Sequence, residues 1–193
     1  MNICVYGAAS SEIESSFMEA GVELGKEMAK RGHGLVFGGG RNGMMGAVAR
    51  GVEEGNGNIL GIAPKFFEDS NAEISFKNCT EFIHTADMRE RKKLLDEKSD
   101  AFIIAPGGIG TFDEFFEILT LKQLGRHNKP IVMWNLNNYY DNLENMMQVS
   151  VDKHFITDDC RKLYRITKNI DKMLSYIENY DPTVVDLTKV KIR

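Results

Sequence analysis

Residues 101–114 read Ala101-Phe102-Ile103-Ile104-Ala105-Pro106-Gly107-Gly108-Ile109-Gly110-Thr111-Phe112-Asp113-Glu114. Five apolar residues run into a glycine-rich turn, and a helical pattern follows at once. Buried strand, loop and helix in that order make half of a βαβ unit. The same alternation recurs along the chain. Strands are predicted at Ile3–Tyr6, Gly34–Phe37, Asn58–Ile62, Phe82–Thr85, Ala101–Ala105 and Pro130–Trp134, with a last one near Leu163–Ile166. Helices are predicted near 12–31, 43–54, 87–98, 112–124, 139–154 and 169–180. Strands separated by helices imply an α/β fold, a doubly wound parallel sheet with helices on both faces, in a single domain. Right-handed crossovers bring the strand C-termini to one edge, where open α/β sheets bind ligands. Three loops converge there: Gly7–Ser11, Gly38–Gly43 and Pro106–Thr111. The domain is expected to span 1–180, with 181–193 a peripheral tail. Residues 64–81 are the least regular stretch and read as a lid or a dimer arm.

Bulk properties narrow the function classes. The chain has 193 residues, enough for one domain with a real core. It carries 24 basic and 28 acidic residues, a net charge of −4, and no long Lys/Arg block, which argues against a nucleic-acid partner. Three widely spaced cysteines give neither a metal motif nor a disulfide framework, so no metal site is expected. No apolar run approaches the ~20 residues of a membrane span. The N-terminus begins on a strand pattern without the basic and apolar regions of a signal peptide. A cytoplasmic protein without membrane partners is the expectation.

The glycine loops carry the chemistry. Gly38-Gly39-Gly40-Arg41-Asn42-Gly43 fits G-x-G-x-x-G between a strand and a helix. It follows the second strand rather than the first, however. The next strand, ending near Ile62, also runs into Ala63-Pro64, without an acidic residue to grip a ribose. A dinucleotide site is therefore disfavoured. A tight turn, or a loop whose backbone approaches a smaller nucleotide, fits as well. At Pro106–Thr111, glycines 107, 108 and 110 leave backbone N–H groups unobstructed at a helix N-terminus, a natural anion site. No Gly-Lys-Ser/Thr follows, so a monophosphate suits this loop better than a triphosphate with magnesium.

Two charged residues stand out. Thr111-Phe112-Asp113-Glu114 has the form of a capping box, Thr at the N-cap and Glu at N3. Phe112, Phe115, Phe116 and Leu119 form one apolar face of that helix. Glu114 lies roughly opposite, alongside Ile118 and Leu121, so its side is not plainly solvated. Two apolar faces suggest a helix that packs on the sheet and also meets another subunit. In Asp87-Met88-Arg89-Glu90-Arg91-Lys92, Asp87 reads as an N-cap and Glu90 as its N3 partner. Arg91 falls beside the apolar Met88, Leu94 and Leu95. There it either snorkels or presents its fork to an anion or carboxylate.

At these residues the sequence resembles the LOG ("Lonely Guy") family. Residues 106–114 match its PGGxGTxxE motif, and Met88-Arg89-Glu90-Arg91-Lys92 resembles its M-x-x-R-K segment. Gly38–Gly46 and Gln123–Pro130 resemble further family stretches, and the likeness covers roughly residues 2–155. The resemblance implies a Rossmann-like, usually dimeric protein that needs no cofactor. It implies a cytokinin riboside 5′-monophosphate phosphoribohydrolase, which releases a free base from a nucleotide 5′-monophosphate. Many members also hydrolyse AMP. Carried over by residue, Arg91 and Glu114 are the implied catalytic pair. Gly107, Gly108, Gly110 and Thr111 are the implied phosphate site, with Met88, Lys92, Gly39 and Gly40 near the nucleotide and Glu73 and Thr120 in the ligand pocket. Arg89, Asp113 and the Gly7–Ser10 stretch depart from the usual family residues. A non-enzymatic nucleotide sensor or carrier is the alternative that the same loops allow.

Overall fold

A computed structural model describes residues 1–69, 75–183 and 190. Seven parallel strands form one sheet in the order β4-β3-β2-β1-β5-β6-β7. They are β1 (Asn2–Tyr6), β2 (Gly34–Phe37), β3 (Ile59–Pro64), β4 (Glu81–Thr85), β5 (Ala101–Ile104), β6 (Ile131–Trp134) and β7 (Arg165–Thr167). Register is continuous across the centre, with Cys4 beside both Val36 and Phe102. Between the strands run α1 (Ser15–Lys30), α2 (Gly43–Glu54), the single turn α3 (Phe66–Asp69), α4 (Met88–Glu97), α5 (Ile109–Gln123) and α6 (Asp141–Asp152). The last helix is α7 (Ile170–Glu178).

Strand residues alternate between two cores. Ile3, Val5, Leu35, Phe37 and Ile103 pack under α1, α2 and α7, against Leu24, Met28, Val48 and Leu174. Cys4, Tyr6, Val36, Phe102 and Ile104 pack under α4, α5 and α6, against Leu95, Phe115, Ile118 and Met147. With period-two side chains, a sheet covered on both faces must be apolar at successive positions, and the central strands are. The winding direction reverses between β1 and β5, which opens a crevice at their C-terminal ends. Helices α1 and α2 touch backbone to backbone: a Cβ added at Gly25 would lie 2.2 Å from the Val48 carbonyl oxygen, and one at Gly51 2.1 Å from that of Val22.

Several sequence expectations need adjustment. Helix α5 begins at Ile109, three residues before its predicted start, because Gly108 occupies the N-cap. The turn α3 and two 3₁₀ segments, Leu136–Asn138 and Asp158–Leu163, were not expected. They are too short to set up a hydrophobic period. Within 64–81, residues 70–74 lie outside the described residues. Ser75 pairs with Gly40 in an isolated antiparallel bridge, and the Phe76 amide donates to the Gly39 carbonyl at 2.8 Å. Most of the expected 181–193 tail also lies outside the described residues. Val190 is buried, and its carbonyl accepts from Gln123 Nε2 at 3.0 Å. Among the described residues no helix is long and apolar enough to cross a membrane.

Lys122 is fully buried in α5. Its ammonium donates to the Lys129 carbonyl and the Tyr180 hydroxyl, both at 2.8 Å. Lys129 in turn reaches Asp96 at the end of α4 at 2.8 Å. Residues 123–130 thus fasten α4, α5 and the start of β6 together.

Candidate active site

The three loops meet as expected. The Ala8 amide donates to the Pro106 carbonyl at 3.0 Å, and the Met45 amide to the Ala8 carbonyl at 3.2 Å. Beside them stands a buried ion pair. Arg91 Nη1 lies 2.8 Å from Glu114 Oε1, with the two residues 5% and 7% exposed. Arg91 Nε also donates to the Ile62 carbonyl within β3, at 3.3 Å.

Local sequence explains how each partner arrives. Helix α4 is capped by Asp87, whose carboxylate accepts from the amides of Arg89 and Glu90, while Glu90 accepts from the Ala86 amide at 2.6 Å. That cap fixes the helix phase and turns Arg91 and Leu95 inward together. Glu114 comes from α5, and here the capping-box expectation fails. With Gly108 as N-cap, Thr111 stands at N3 and Glu114 one turn further along. Glu114 therefore closes no helix end. The expected apolar face also shifts: Thr111, Glu114, Phe115, Ile118, Leu119 and Lys122 are buried, whereas Phe116 is 40% exposed.

Burial pushes the Glu114 carboxyl up to about 6, against the opposing pull of Arg91. A buried carboxylate without a cation would protonate at neutral pH, and Arg91 keeps this one chargeable. Glu114 also faces a cavity of about 280 Å³ between α4 and α5, lined by Tyr6, Lys92, Asp96, Ile118 and Leu121 among others. Lys92 is ion-paired to Asp113 at 3.1 Å and to Glu117, and both carboxylates raise its affinity for a proton.

The glycines separate into two kinds. A Cβ at Gly38 would lie 2.1 Å from Arg91 Nη2, so Gly38 is the space into which the guanidinium fits. Gly39 has φ +83°, and a Cβ there would sit 2.8 Å from the Phe82 ring. The Gly38–Gly43 loop thus seats Arg91 and the 75–76 segment. At Gly107 a Cβ would meet Thr111 Oγ1 at 2.1 Å. At Gly108 and Gly110, by contrast, nothing lies within 4 Å, and neither has a positive φ. These two glycines are required neither by packing nor by backbone strain. They leave the N-terminus of α5 uncovered, with its first amides free of side-chain obstruction.

The remaining predicted residues spread around this centre. Met88 is half-buried at the first position of α4. Gly39 and Gly40 are buried under residues 75 and 76. Thr120 is exposed on α5 and does not line the Glu114 cavity. Glu73 lies outside the described residues. Sequence reasoning missed Tyr6, Asp113 and Glu117. The i, i+4 spacing of Asp113 and Glu117 around a lysine of another helix was the available signal. Among the described residues no group of three or more His, Cys, Asp or Glu side chains is placed to hold a metal ion.

Known proteins resemble the chain in sequence and shape. Residues 45–177 match the family described as "Possible lysine decarboxylase". The cytokinin riboside 5′-monophosphate phosphoribohydrolase LOG7 of Arabidopsis thaliana is 36% identical over 186 residues, covering 96% of this chain and 85% of the relative. The probable phosphoribohydrolase LOGL1 of Oryza sativa is 37% identical, covering 92% and 79%. Among solved structures, the Moco carrier protein of Chlamydomonas reinhardtii superposes with a TM-score of 0.68 over 92% of this chain and 94% of its own, at 19% identity, a likeness of fold.

Proposed function

From the premise that the chain belongs to the LOG family, we propose that it hydrolyses the N-glycosidic bond of purine nucleoside 5′-monophosphates. Cytokinin riboside 5′-monophosphate, AMP, or both are the substrates. Water adds across the bond: its hydroxyl joins the ribose C1′, its proton goes to the departing base, and ribose 5-phosphate remains.

The observation that carries this reading is the buried Arg91–Glu114 pair beside an unobstructed helix N-terminus. The amides at the start of α5 hold the 5′-phosphate, with Gly108 and Gly110 giving it room. Glu114 follows Gly108 by six residues, about 9 Å along the helix axis. Its side chain leans back towards the helix start, which brings the carboxylate to the ribose. As the bond breaks, positive charge builds on the sugar. The Glu114 carboxylate stabilises that charge and orients or deprotonates the attacking water. Arg91 holds the carboxylate ionised and in place. Lys92 positions Asp113 and Glu117 along the same edge of α5. Phosphate binding at a distance supplies the energy that aligns the bond.

The functional unit is a homodimer. Ile109 and Phe116 on α5 and Met146 and Val149 on α6 are exposed apolar residues, and sedimentation at twice the chain mass checks this. Incubation of the pure protein with AMP and with isopentenyladenosine 5′-monophosphate tests the activity. Release of free base with ribose 5-phosphate supports it. Tight binding without turnover would replace it with a nucleotide carrier.

A further inference from the structure

The glycine loop has a second layer of support that the reaction above does not use. Every carbonyl from 105 to 108 is occupied. Ala105 O accepts from the Tyr140 hydroxyl at 2.7 Å, and Gly107 O from the Tyr139 hydroxyl at 2.6 Å. Between them Pro106 O accepts from the Ala8 amide at 3.0 Å, and Gly108 O from the Phe112 amide at 3.0 Å. A trans peptide is a rigid plane whose N–H points opposite to its C=O. Fixing the carbonyl of one residue therefore aims the amide of the next. The Tyr139 bond to Gly107 sets the direction of the Gly108 N–H, the first donor at the open end of α5.

Tyr139 is itself held. Its ring stands edge-on to Phe17 at 6.2 Å and to Tyr140 at 5.0 Å. Tyr140 is 1% exposed and acts on the Ala105–Pro106 peptide, which has no N–H to aim. Tyr139 is 42% exposed, more than core packing requires, and it stands at the rim of the loop.

We infer that Tyr139 is a positioning residue for phosphate binding, orienting the Gly108 amide through the Gly107 carbonyl. This rests on the loop being the phosphate site. Calorimetry of the full chain with ribose 5-phosphate reads the effect without turnover. Tyr139→Phe keeps the ring and removes only the hydroxyl. Its Kd for ribose 5-phosphate is expected to rise about fivefold, the worth of one net hydrogen bond. The KM for a nucleoside 5′-monophosphate should rise by the same factor, with kcat falling by less. Tyr164→Phe, which loses a partly buried hydroxyl bond to Glu144 away from the loop, serves as control and should bind like the unaltered protein. Unchanged binding by Tyr139→Phe, or an equal loss in Tyr164→Phe, would overturn the inference. An unaltered protein that fails to bind ribose 5-phosphate at all would instead remove the loop as the phosphate site.

Discussion

The two glycine-rich loops, 38–43 and 106–111, look interchangeable in composition, yet they do opposite things with the absence of side chains. In the first, the space is consumed internally. Gly38 is filled by Arg91, Gly39 is covered by Phe82, and a Cβ at Gly43 would meet the Ala8 carbonyl oxygen at 2.4 Å. In the second, Gly107 is filled by Thr111, but Gly108 and Gly110 face nothing. One loop is a socket for the Arg91 side chain, and the other leaves the start of α5 uncovered. A glycine's role is thus read from what its missing Cβ would strike.

The sharpest way to break this contrast is at the partner of the side chain that the first loop seats. Glu114→Gln keeps the shape and an acceptor for Arg91 but removes the charge. It should cost about 10³-fold in kcat/KM for nucleotide hydrolysis. Near-normal turnover would show that Glu114 only supports the helix. Next comes Gly38→Ala, whose new methyl must displace the Arg91 guanidinium. A shift of that size should cost about 10²-fold in kcat/KM and also lower the melting temperature. If activity survives intact, the first loop is not the seat of Arg91 in the working enzyme.

Gly108→Ala probes the second loop with the opposite signature. Melting should stay within about 0.5 kcal/mol of the unaltered protein. The KM should rise roughly tenfold through a weakened charge-assisted bond to phosphate. A loss of stability with an unchanged KM would reverse the assignment. The mildest perturbation is pH. With the Glu114 carboxyl raised to about 6, kcat/KM should fall about tenfold from its plateau by pH 5, and Glu114→Gln should lack that limb. The sign for stability is the reverse. A raised carboxyl pKa favours the folded state at low pH, and that contribution is lost as pH climbs towards 6.

Much of the fold was readable because a doubly wound sheet writes itself as apolar runs alternating with helical periods. The α2 bounds, 43–54, coincide with those predicted. The start of α5 was misread because Gly108 and Gly110 look like loop, although glycine serves at an N-cap and an open first turn. The motif residues of the site were visible, but their pairing was not. Arg91 and Glu114 sit on different helices, and no local period connects them. Nor could sequence reveal that Gly38 makes room for Arg91, or that Tyr139 and Tyr140 bond carbonyls in a loop some thirty residues earlier. Such contacts exist only once the crossovers are closed.

The backbone contact of α1 with α2 has a mechanical consequence. With Gly25 against Val48 and Gly51 against Val22, neither helix can slide past the other without carbonyl oxygens colliding. The loops that lead into these helices, Gly7–Ser11 and Gly38–Gly43, are therefore attached to one stiff block. The opposite wall of the crevice is tied to that block as well: Arg91 of α4 fills the space at Gly38, the Ala8 amide holds the Pro106 carbonyl, and the Tyr139 ring packs on Phe17 of α1. The site therefore stands on one braced frame, in which loops from both halves of the sheet share their supports.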